Sequence, residues 1–132
     1  MPRVLRCLFV SCLTAGLAGC LSGGGLGGSL APASAGVSAL GTGLIGQSQD
    51  VALSGPAQRQ ALEAEYQALQ FGRVGIATSW EADGYRGQVV PTQLYRVGSQ
   101  DCRGYTHTVS KGGATTRAVG TACRAGALWT TV

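Results

Sequence analysis

Charge is scarce in this chain. Charged residues make up 12% of it, and there is one histidine. No lysine or arginine run occurs anywhere, so nucleic-acid binding lacks its electrostatic footprint. One histidine, with no close-spaced cysteine pair outside the N-terminal segment, gives no reason to expect a metal or other cofactor. Large aromatics are few as well: two tryptophans and two phenylalanines against 22 glycines. A core of that kind is modest and calls for support beyond apolar burial. The glycine-rich run Gly23-Gly24-Gly25-Leu26-Gly27-Gly28 follows no strand, so it lacks the setting of a phosphate loop. Carboxylates paired at a working spacing and a nucleophile–base set are missing too, and an enzyme is not expected.

What the chain does have begins at its N-terminus. Met1 to Arg6 carries Arg3 and Arg6 and no acid, and the apolar run Leu8 to Leu17 is too short to span a bilayer. Small residues then lead to a cysteine, which is the order of a cleaved export signal. The ending Leu17-Ala18-Gly19-Cys20 resembles the lipobox of bacterial lipoproteins. That resemblance implies cleavage before Cys20 and a diacylglyceryl group on its thiol. The alternative is an ordinary export signal with a chance cysteine. Loss of Arg3 and Arg6 with residues 1–19 lowers the formal charge from +4 to +2, leaving 113 residues, enough for one small domain.

Residues 21–47 carry no charge, and small residues recur at every fourth position: Gly23, Gly27, Ala31, Ala35, Ala39 and Gly43. This is the spacing at which helices pack closely in membranes. Pro32 and the many glycines oppose helix in water, and such composition also serves as a flexible tether. Residues 20–53 are therefore expected to be a lipid-anchored tether or a degenerate glycine zipper. Gly36–Gly46 is the part expected to touch lipid.

The folded domain is expected over 54–132. Ser54 or Gly55 caps a helix with Pro56 in its first turn, and good helix formers run from Ala57 to Leu69. Ala61, Leu62, Ala64, Ala68 and Leu69 form its apolar face, with Tyr66 at the edge. Glu63 and Glu65 are expected to point elsewhere, as parts of a solvated surface. Gly72 stops the helix.

Beyond Arg73 the pattern changes to short β runs: Val74–Trp80, Tyr85–Tyr95, Cys102–Ser110, Thr115–Cys123 and Leu128–Val132. Asp83-Gly84 marks a turn, and Pro91 requires an edge or a bulge. The fold class expected is α+β, one short helix on a small antiparallel sheet of four to five strands. Centring a two-residue turn on Gly112-Gly113 pairs Cys102 with Cys123 at a non-hydrogen-bonded position, where side chains approach most closely. In an exported chain that pair reads as a disulfide. The same register puts Tyr105, His107, Val109, Ala118 and Ala122 on the core face, with Tyr105 lying over Gly120. His107 lacks a convincing nucleophile nearby and is expected to be structural or exposed. Trp80 and Trp129 are expected in the core.

Tyr66-Gln67-Ala68-Leu69, Gly72-Arg73-Val74-Gly75, Ser79-Trp80, Cys102-Arg103-Gly104-Tyr105-Thr106, Gly120-Thr121-Ala122-Cys123-Arg124 and Trp129 together resemble the rickettsial-type common surface antigens. The resemblance implies a lipoprotein of the outer membrane, held to the bilayer through acylated Cys20, with an antigenic and structural role. It implies no enzymatic activity. An unidentified envelope protein is the further partner expected. The other expectation is a small periplasmic inhibitor or binding module on a lipid tether. Its contact loops would be Trp80–Arg86 and Lys111–Ala114.

Overall fold

The computed structural model describes residues 34–132. The expected export signal, the lipobox-like ending and the expected anchor at Cys20 lie outside the described residues. Two short helices, α1 (Ala35–Ala39) and α2 (Gly43–Gly46), come first, followed by the 17-residue helix α3 (Gly55–Phe71). Five strands follow: β1 (Thr78–Ala82), β2 (Tyr85–Val97), β3 (Gln100–Lys111), β4 (Ala114–Ala125) and β5 (Leu128–Thr131). They form one antiparallel, curled sheet in sequence order, a meander with every neighbour joined by a two-residue loop.

The turn chemistry accounts for this order. Asp83-Gly84 and Gly112-Gly113 both hold positive φ at two successive positions, which matches the twist of the flanking strands. The loops at Gly98-Ser99 and Gly126-Ala127 use positive φ at the glycine alone. β3 and β4 pair in the expected register, Lys111 with Ala114 and Cys102 with Cys123. The disulfide between these cysteines closes with their Cα atoms 4.0 Å apart. Pro91 sits at a register shift of β2 against β3, the bulge its missing N–H requires. β1 begins only at Thr78, later than expected, because Gly75 donates to the Pro91 carbonyl and Ile76 to that of Arg73, making a turn before the strand.

α3 packs on the inner face of the sheet through Ala57, Ala61, Ala64, Ala68 and Leu69, all buried. Four alanines let the helix axis come close, and Trp80, Val89, Tyr105, Val109 and Trp129 fill the space from the sheet side. Ser54 is the N-cap residue, yet its side chain makes no capping bond.

Residues 34–46 depart from the expectation of a tether. Val37, Leu40 and Ile45 are buried, and Leu40 and Ile45 belong to the central core cluster. Gly36–Gly46, expected to touch lipid, instead packs against α3 and the far strands. The cause is the core itself: α3 contributes mostly methyl groups, and these aliphatic side chains fill the remaining volume. One detail follows from this. The space above Gly120 is filled by Leu44 and not by the Tyr105 ring, although Tyr105 and Gly120 are paired as expected.

Candidate functional site

Glu65 lies on the buried face of α3, four residues from Ala61 and three from Ala68, contrary to its expected place on the solvated surface. Glu63 alone is exposed, and its carboxylate accepts from Gln67 Nε2. Glu65 has no exposed surface, and a carboxylate there is tolerable only with donors around it. Four are present. The backbone N–H groups of Leu44 and Ile45 donate to it at 2.9 and 3.1 Å. The Tyr105 hydroxyl donates at 3.2 Å, and His107 Nδ1 lies 2.7 Å away.

Two of these donors depend on Gly43. It holds φ +69°, turning the chain so that the next two N–H groups face the carboxylate, and an added Cβ would come within 2.7 Å of Glu65 Oε2. Glycine is required here on both grounds.

His107 continues the chain inward. Its Nε2 accepts from the Trp80 indole N–H at 2.9 Å. Indole nitrogen only donates, so Nε2 carries no proton and Nδ1 carries one, which it donates to Glu65. The imidazole is thus a neutral relay between an acid and an indole. Gly87, opposite Trp80 in the β1–β2 ladder, leaves room for the indole to lie flat across the sheet. Burial, then the Glu65 charge, pushes the Tyr105 hydroxyl well above its ordinary pKa, so it remains a donor. Every buried polar side-chain atom among the described residues has a partner. His107 is entirely buried with both nitrogens engaged, so it is structural, the first of the two expectations.

The second cluster lies on the same inner face, where the sheet runs past the C-terminal end of α3. Arg96, Asp101, Arg124 and Trp129 are successive cross-strand neighbours on β2, β3, β4 and β5. Asp101 accepts from Arg96 at 2.9 Å and from Arg124 at 3.2 Å. The Arg96 guanidinium, with Arg124 contributing less, holds the Asp101 carboxyl below its usual range. Arg103 donates to the carbonyls of Ala68 and Gly72, satisfying the helix end. Trp129 is buried and donates from Nε1 to Gln70. Arg103 and Arg124 each sit 5.7 Å from its ring centroid, within cation–π range.

The remaining candidates are placed as follows. Cys102 and Cys123 are joined on the outer face. Trp80 and Trp129 are core aromatics, as expected. The β1–β2 and β3–β4 loops lie together at one end of the meander, where Lys111 Nζ stands 4.3 Å from the Tyr85 ring centroid. Among the described residues, no group of three His, Cys, Asp or Glu side chains is placed to hold a metal ion. No helix among them is long and apolar enough to cross a membrane.

Sequence reasoning missed Glu65 and the arginine cluster. A signal for the first was present: an acid at helical spacing within an alanine stripe, and a histidine on the core face of a strand. No family model, curated protein or solved structure matches the chain.

Proposed function

We propose that this protein is a non-enzymatic lipoprotein of the bacterial outer membrane, related to the common surface antigens, with a structural or interaction role in the envelope. Acylated Cys20 would hold it to the bilayer, and the disulfide-closed sheet would be the part presented to partners. The observation that carries the non-catalytic reading is the burial of His107. The chain's one histidine is committed to Glu65 and Trp80 through both ring nitrogens and has no path to a substrate. The anchor rests on the Leu-Ala-Gly-Cys sequence and the export signal before it. Stable anchoring takes more than one acyl chain, which a diacylglyceryl group supplies.

The test is the intact mass of the protein extracted from membranes of a bacterial host, before and after reduction and alkylation. The expected species begins at Cys20, carries acyl chains and gains alkyl groups at Cys102 and Cys123 only after reduction. A species retaining residues 1–19, or lacking acyl chains, overturns the anchor and the location with it.

A second reading, a periplasmic inhibitor or binding module, is favoured by the juxtaposition of the two loops at the Lys111–Tyr85 contact. Two adjacent tight hairpins make a rigid protrusion suited to a cleft. Capture of one stoichiometric envelope hydrolase by the full-length protein, lost when Lys111 and Tyr85 are replaced together, would select this reading over the first.

A further inference from the structure

Beside the C-terminal end of α3 a cleft of about 380 Å³ opens, lined by Gln70, Arg96, Asp101, Arg103, Arg124 and Trp129 among others. Its charges do not balance. Three arginines face one carboxylate, and Asp101 serves two of them. Arg103 meets only the neutral carbonyls of Ala68 and Gly72 and has no carboxylate partner among the described residues. The helix end adds roughly half a negative charge, which leaves the cleft positive by more than one unit. Burial, and repulsion from Arg124, draw the Arg103 guanidinium below its ordinary pKa. Two like charges are thus held near each other at a half-covered site.

The arrangement also fixes geometry. Arg103 is tied to the helix by Nη1 and rests near Trp129, while Arg124 is tied to Asp101 and rests near the same ring. Guanidiniums immobilised in this way lose little further entropy on accepting a ligand, and their planar forks match oxygen pairs. A volume of this size falls in the range of small-ligand sites.

We propose that this cleft binds an oxyanion, a carboxylate or phosphate group carried by a small ligand, on the guanidiniums of Arg103 and Arg124. The site is distinct from the β1–β2 and β3–β4 loops, which lie at the opposite end of the sheet.

The test follows tryptophan fluorescence of the full-length protein in detergent, titrated separately with sodium phosphate and sodium acetate. Sodium chloride at matched ionic strength is the control. A saturable change with phosphate, with acetate or with both is expected, absent with chloride and absent in Trp129→Phe. Phosphate alone, or acetate alone, identifies the group the cleft prefers. Arg124→Gln should weaken the response at least 10-fold, whereas Arg117→Gln, exposed on the outer face of β4, should leave it unchanged. If Arg124→Gln lowers the melting temperature appreciably, Arg96→Gln, at the exposed rim, replaces it with a smaller expected loss. A response that chloride reproduces, that never saturates, or that survives loss of Arg124 or its Arg96 substitute undiminished overturns the proposal.

Discussion

The two polar clusters occupy the same inner face of the same sheet, yet they are built on opposite terms. Around Glu65 a single negative charge is taken out of water completely and met by dipoles: two backbone N–H groups, a hydroxyl and a neutral imidazole. Around Trp129 positive charge is in excess and remains within reach of solvent. Arg96 keeps 66% of its side-chain surface and Arg124 38%. The difference lies in what covers the sheet. α3 and α2 close over the first cluster, while α3 ends at Phe71 and leaves the second open. A covered charge must be satisfied internally or the fold fails, whereas an exposed one can wait for a ligand.

Variants that break this contrast should differ in size accordingly. Glu65→Ala leaves four neutral donors facing a cavity and should cost about 4 kcal/mol, since each buried donor left without an acceptor costs about 1–3 kcal/mol before the site relaxes. Thermal unfolding measures it, and a loss below about 1 kcal/mol would show that the carboxylate is not the hub described. Replacing Cys102 and Cys123 together by alanine should cost about 3 kcal/mol by loop-closure entropy. An unchanged melting temperature under non-reducing conditions would contradict the disulfide. Gly43→Ala places a side chain at positive φ against the carboxylate and should cost about 2 kcal/mol. Hydrogen exchange at Leu44 and Ile45 should accelerate with it. If those amides stay protected, their bonds to Glu65 do not depend on the glycine.

The smallest effect belongs to the open cluster. Asp101 has a native pKa below its unfolded value of 3.8. Its contribution to stability is therefore present above about pH 4 and fades as pH falls through the lowered native value. Asp101→Asn should flatten that part of the acid unfolding curve slightly, with no change near neutrality in its slope. An equally steep acid curve in Asp101→Asn would assign the effect to another carboxylate.

Much of the fold was legible in local chemistry. Pro56 and Gly72 bracket α3, the Gly112-Gly113 turn sets the β3–β4 register, and that register brings the two cysteines together. Each depends on neighbours in sequence, or on a hairpin whose turn defines its pairing. The Gly98-Ser99 and Gly126-Ala127 loops carry the same kind of signal, and they extend the strands beyond their expected ends. Residues 34–46 were not legible in this way. Their glycine spacing suits a membrane zipper or a tether equally well, and only the volume left over by an alanine-faced helix shows why Val37, Leu40 and Ile45 turn inward.

The candidate sites divide along the same line. Alternation along β3 placed His107 on the core face, but its partners lie on α3 and β1, 42 and 27 residues away in sequence. The arginine cluster draws one residue or more from each of four strands and meets the end of a helix. By itself the sequence determined the helix, the hairpin turns, the strand faces and the disulfide, since short-range backbone preferences and period-two alternation specify these. The tertiary structure decided that Glu65 is a buried hub, that Gly43 makes room for it, and that two arginines share one tryptophan. Those outcomes depend on which distant side chains compete for the same enclosed space and the same charge.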